Sequence, residues 1–68
     1  MKMVKVIEVI ANSDKGFADA AENAITEAAK TVKNIQSIYI KHMNGGVENN
    51  EIASYAVNAK ISFLAEPN

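Results

Sequence analysis

The stretch Glu51–Phe63 constrains the fold more than any other. Ala53, Tyr55, Val57, Ala59, Ile61 and Phe63 alternate with Ser54, Ala56, Asn58, Lys60 and Ser62. A period of two sustained over this length predicts a strand with one dry face and one polar face. A dry face that long needs a broad apolar cover, which the rest of the chain must supply.

The cover can be found upstream. Lys2–Ala11 is rich in Val and Ile and free of breakers, so it reads as a strand. Met3, Lys5, Ile7 and Val9 share one face; Val4, Val6, Glu8 and Ile10 share the other. A strand apolar on both faces calls for cover on both sides. With one helix in the chain, the second cover would be another subunit. Asn12-Ser13-Asp14-Lys15-Gly16 breaks the strand, and Ser13 or Asn12 is placed to cap a helix. From Phe17 the period is helical: Phe17, Ala21, Ala24, Ile25, Ala28 and Val32 form a stripe, with Asp19, Glu22, Glu27 and Lys30 off it. Alanine at the centre of the stripe lets the helix axis approach a sheet closely. Lys33 and Asn34 end the helix, Asn34 being suited to a left-handed conformation.

Ile35–Met43 reads as a second strand, with Ile38 and Ile40 facing one way and Ser37, Tyr39 and Lys41 the other. Asn44-Gly45-Gly46 is a strong turn signal, and Val47–Asn50 extends the loop. The order is β-α-β-β. The expected class is α+β: a three-stranded antiparallel sheet of order 1-3-2, last strand central, wrapped on one helix. Two open edges remain, and edges are normally paired or covered.

The chain has 68 residues, which predicts one domain. A domain this small hides only roughly 60% of its unfolded surface. Many of its apolar residues are alanines, which bury little area each. There is no cysteine to form a disulfide or a thiolate site, and His42 is the single histidine, so zinc clusters are excluded. Oligomerisation is the remaining staple. The formal net charge is −1, with lysine as the basic residue type, which argues against a nucleic-acid or anionic-membrane footprint. Glu8 interrupts the apolar run of Met1–Glu8, so it does not read as a signal peptide, and no run approaches a membrane span. A soluble, cytoplasmic protein is expected.

Catalytic chemistry is hard to assemble. His42 at a strand end reads as a solvated loop residue. Asp19 and Glu22 lie one helical turn apart, but nothing apolar surrounds them to raise a pKa. Glu48, Asn49, Asn50 and Glu51 form an oxygen-rich loop that would suit a hard cation, without a specific loop signature. No nucleophile elbow, phosphate loop or HExxH spacing is present. The polar sheet face carries Ser37, Tyr39 and Lys41 beside Ser54, Ala56, Asn58, Lys60 and Ser62. It could be solvated, meet a subunit, or seat a flat ligand on Tyr39 against Asn58 or Lys60.

Three segments together resemble the dodecin family: Lys5–Ser13 (KVIEVIANS), Ala21–Ile35 (AENAITEAAKTVKNI) and Tyr55–Phe63 (YAVNAKISF). The resemblance covers nearly the whole chain in the right order. It implies a β-α-β-β subunit in a hollow homododecamer of 23 symmetry. It further implies a non-enzymatic role, in many members the binding of riboflavin, FMN or lumichrome for storage or quenching. The family's flavin site uses a tryptophan on the second strand and a glutamine on the last. Those places fall on Ser37 and Ala56, expected to lie across from each other. Serine has no π-face and alanine no hydrogen-bonding side chain. Tyr39 shares the face of Ser37 but would move a ligand about 7 Å along the strand. The sequence is more similar to members without that tryptophan, some of them described as calcium-binding.

The resulting expectation is a non-enzymatic homododecamer that binds or stores a small ligand, with typical flavin binding weakened or absent. The alternatives are flavin binding through an altered pocket, and a structural shell that holds Ca²⁺ or Mg²⁺. The candidate ligand contacts are Ser37, Tyr39, Ala56 and Asn58, and the residues single out no metal ligand set.

Overall fold

A computed structural model describes residues 3–65. Lys2, the expected start of the first strand, and Met1 lie outside the described residues. The elements are β1 (Met3–Ser13), α1 (Phe17–Ala28), β2 (Ile35–Glu48) and β3 (Glu51–Ala65). The sheet has the order β1-β3-β2 with both pairings antiparallel, as the strand pattern predicts. α1 lies over one face and leans on β1 and β3 more than on β2.

The dry face of β3 is where the core forms. Val57, Ala59 and Ile61 are buried, and Val57 and Ile61 form one cluster with Ala11 of β1 and Ala20, Ala24 and Ala28 of α1. The three helix alanines recur every fourth residue, so they line one side of the helix. Small side chains on both surfaces let helix and sheet approach. The stripe therefore centres on Ala20-Ala24-Ala28, with Ala21 and Ile25 half-buried on its flank. Ala20 was not among the expected stripe residues. Phe17 packs edge-on against Tyr55, with ring centroids 4.9 Å apart.

Both helix ends differ from expectation. Gly16 is the N-cap residue and makes no side-chain cap. Ser13 serves the loop instead: its Oγ accepts from the Lys15 N–H at 2.9 Å and donates to Asp19 Oδ2 at 2.6 Å. Asn12 offers its carbonyl to Asn23 Nδ2 at 2.9 Å. At the other end the helix stops at Ala28 rather than continuing to Lys33. The carbonyl of Ala28 accepts from both Thr31 and Val32 N–H, closing a final turn. Asn34 is left-handed at φ 61, as expected, and its carbonyl accepts from Leu64 N–H, which ties the connection to β3.

The main correction concerns the hairpin. Asn44-Gly45-Gly46 is not the turn; it lies inside β2. The turn is Asn49-Asn50, with φ 52 and 65. Two consecutive left-handed residues match the twist of a two-residue hairpin loop, and asparagine tolerates this conformation better than most residues. The glycines serve close approach instead: the Ser54 hydroxyl occupies the space where a Gly46 side chain would begin. A register shift next to Gly46 then pairs Val47 with Ile52. It places Ile52, rather than Ala53, on the helix side, where its Cγ2 lies near Gly45.

The hairpin outruns its cover. Twelve helical residues span about 18 Å, while fifteen strand residues span about 50 Å. Met43, level with the buried Val57 at the side of the helix, and Val47 and Ile52 beyond it stand exposed on the same side of the sheet as the core.

Candidate functional site

The face of the sheet turned away from α1 holds all four candidate contacts. Register arranges it in rows across β1, β3 and β2: Val6-Ser62-Ser37, then Glu8-Lys60-Tyr39, then Ile10-Asn58-His42, then Asn12-Ala56-Asn44. Lys41 is the extra residue of a bulge between the second and third rows. This follows from alternation: one step along β3 from Ser62, Lys60, Asn58 and Ala56 are the buried Ile61, Ala59 and Val57.

The first row is polar on two strands, where the Ser37 and Ser62 hydroxyls hydrogen-bond at 2.5 Å. The second carries charge. Lys41 Nζ stands 3.4 Å from Glu8 Oε2. Since β3 lies between their two strands, this pair spans the central strand. In the third row Asn58 Oδ1 is sealed from solvent and makes no hydrogen bond. Flanking these groups, Val4, Val6 and Ile10 of β1 and Tyr39 of β2 are exposed.

The rows overturn one expectation. Ser37 and Ala56 do not lie across from each other. Ser37 is level with Ser62, and Ala56 with Asn44. The two are six residues apart along β3, about 20 Å. The misplaced turn is the cause. The expected loop from Asn44 to Asn50 would pair Met43 with Glu51 and set Ser37 level with Val57, next to Ala56; closing at Asn49-Asn50 slides β2 along β3. Within one chain, Ser37 and Ala56 cannot contact the same small molecule. Tyr39 and Asn58 occupy adjacent rows and are diagonal neighbours, which places them about 7–8 Å apart.

The other candidates are scattered. His42 is exposed beside Asn58, and Asp19 is engaged by Ser13 while Glu22 faces outward on α1. Glu48 and Glu51 face each other across the turn. Among the described residues, no group of three or more His, Asp or Glu is placed to hold a metal ion. A separate open pocket of about 350 Å³ lies at the end of α1, between Thr31–Asn34 and Phe63–Ala65. No helix among the described residues is long and apolar enough to cross a membrane.

The Lys41–Glu8 pair and the wall formed by Ile10 were not anticipated from sequence. Strand parity put Glu8 and Ile10 on the outer face, but their partners depend on register across two strand boundaries.

The dodecin family model matches residues 3–66. The chain belongs to the dodecin family. Its fold is shared by the dodecin of Streptomyces coelicolor, with 27% identity, a TM-score of 0.89, and 98% of this chain and 96% of that one covered. A Thermus thermophilus protein matches at 24% identity and a TM-score of 0.91 over the full length of both chains. The calcium dodecin of Mycobacterium tuberculosis, whose structure has a calcium-binding site, matches at 24% identity and a TM-score of 0.78, covering 97% and 94% of the two chains. No curated protein matches the chain. The dodecin flavin contacts inferred from sequence, aromatic at 37 and amide at 56, are a serine and an alanine here. These residues do not fit a flavin held in that way.

Proposed function

We propose that this dodecin is a non-catalytic, cytoplasmic homododecamer of 23 symmetry that binds or stores a small ligand, with typical flavin binding weakened. The observation that supports the reading is in the sequence: the resemblance assigns the family's aromatic and amide flavin contacts to Ser37 and Ala56, which have neither a ring nor an amide. Losing an aromatic stack and a hydrogen bond together weakens a contact by about 2 kcal/mol, roughly thirty-fold. Assembly is supported by the apolar surface that one chain leaves open. Val4, Val6 and Ile10 are exposed on the outer face; Met43, Val47 and Ile52 are exposed on the helix side, beside and beyond the helix. A subunit of this size gains most of its missing burial from copies of itself. Absence of cysteine accords with a reducing compartment.

Two measurements test the reading. Light scattering should give a particle of twelve 7.3 kDa subunits, roughly 88 kDa; a stable monomer refutes the assembly. Riboflavin titrated into the protein should show weak fluorescence quenching, and the Ser37→Trp/Ala56→Gln variant should quench far more strongly. Strong quenching by the unaltered protein at sub-micromolar concentration refutes the weakening.

A further inference from the structure

We infer that the hairpin tip of one copy of this chain docks into the pocket at the end of α1 of a second copy, with Val47 and Ile52 as an apolar knob and Glu48 and Glu51 meeting Lys33 and Lys5 at the rim. The inference deepens the assembly reading above and rests on it.

The tip lacks cover in its own chain. Val47 and Ile52 face each other across β2 and β3 on the helix side of the sheet, and they are 64% and 52% exposed. Cross-strand neighbours on one face stand close enough to form a single apolar knob. On the reverse of the tip, Glu48 and Glu51 are both exposed and stand opposite each other next to the turn. Like charges placed directly opposite repel, so this pair costs stability in an isolated chain and a basic neighbour relieves it.

The complementary features lie at the other end of the sheet. The pocket of about 350 Å³ is bounded by Thr31–Asn34 and by Phe63–Ala65. Val32 and Phe63 are half-buried and give it an apolar lining, and Lys33 is the one charged residue among those that line it. Lys5 of β1 is level with Phe63 and exposed. A space of this size takes the two aliphatic side chains of the knob. With their apolar face against Val32 and Phe63, the strands of the tip leave their acidic face towards the rim, where the lysines are.

The occupant is another molecule. Ile52 and Phe63 are eleven residues apart on one straight strand, about 36 Å, so a chain cannot place its own tip in its own pocket. A second copy carries both the apolar knob and the acidic charge that the pocket calls for. Each copy has one tip and one pocket, so a closed assembly can satisfy all of them together. The contact is small beside a stable two-body interface, and it acts together with the apolar patch of Val4, Val6 and Ile10 on the outer face.

The chain has no cysteine, so an introduced disulfide reports the contact without background. A full-length chain with Glu48→Cys is co-expressed with one carrying Thr31→Cys, and the purified assembly is oxidised. The expected product is a covalent pair of unlike chains, identified by mass spectrometry, since a disulfide requires Cα atoms within ~7 Å. Glu51→Cys with Lys33→Cys samples the other side of the contact, and Asp14→Cys with Thr31→Cys is the control, which should stay unlinked. Adding Glu51→Lys to the chain with Glu48→Cys should slow linkage at least about five-fold, and adding Lys33→Glu to its partner should bring the rate back within about two-fold. Glu51→Gln replaces Glu51→Lys if the reversal prevents folding, as read by far-UV circular dichroism. Light scattering establishes that each mixture assembles. Assembly without linkage by either pair, linkage of the control at the same rate, or linkage indifferent to the charge changes overturns the docking and leaves the assembly reading standing. A stable monomer overturns both.

Discussion

Ile61→Ala is the most direct test of how the subunit is held together. Ile61 is fully buried at the centre of β3, between Ile7 of β1 and Ile38 of β2, in one cluster with Ala24 and Ala28 of the helix. The substitution removes three carbons from a closed site. At ~0.8 kcal/mol each, their transfer accounts for about 2.4 kcal/mol. The neighbours are mostly alanines and strand residues, which cannot move inward to fill the gap, so the cavity raises the loss to about 3–4 kcal/mol. A 68-residue chain has a total stability of about 3–10 kcal/mol, so the change removes a large fraction of it. The assay is urea unfolding followed by far-UV circular dichroism, with subunit concentration held fixed because assembly adds to stability. Ile61→Val, which removes a single methylene, should cost about 0.5–1.5 kcal/mol under the same conditions. A loss below about 1 kcal/mol for Ile61→Ala would refute the reasoning, since it would mean that the helix can settle onto the sheet and close the cavity.

Two further outcomes test the hairpin. Asn50 sits at φ 65, so Asn50→Gly should raise the melting temperature by a few degrees and Asn50→Val should lower it, the left-handed region costing a β-branched residue about 1–2 kcal/mol; equal melting temperatures for the two variants would contradict the turn assignment. Gly46→Ala should force the Ser54 hydroxyl into another rotamer at a cost of about 0.5–1.5 kcal/mol. That loss should disappear on a Ser54→Ala background, where the remaining Cβ lies 3.6 Å from the new methyl; identical losses in both backgrounds would show that the strain lies elsewhere.

The outer face shows how far a candidate site can be legible before its geometry is known. Strand parity correctly put Ser37, Tyr39, Ala56 and Asn58 on one surface, and it put Glu8 and Ile10 on the reverse of β1. Parity is a property of each strand alone. It could not say that Tyr39 lies next to Asn58, that Ser37 and Ala56 are remote, or that Lys41 reaches Glu8. Those relations need the offset between strands, and the offset depends on where the hairpin closes.

What the sequence determined by itself is local and periodic: the dry face of Val57, Ala59 and Ile61, the alanine-centred helix, the left-handed Asn34, and from these the strand order 1-3-2. Burial selects one face of each element, and a short chain has few ways to bring those faces together. Tertiary structure decided the rest. Asn44-Gly45-Gly46 has stronger turn chemistry than Asn49-Asn50, yet the chain turns at the asparagines. Closing there keeps Ile38 and Ile40 on the core side opposite Ile61 and Ala59, and it lets Ser54 pack against a glycine. The hairpin register follows from that cross-strand packing, and the register in turn determines which side chains share the outer face as neighbours.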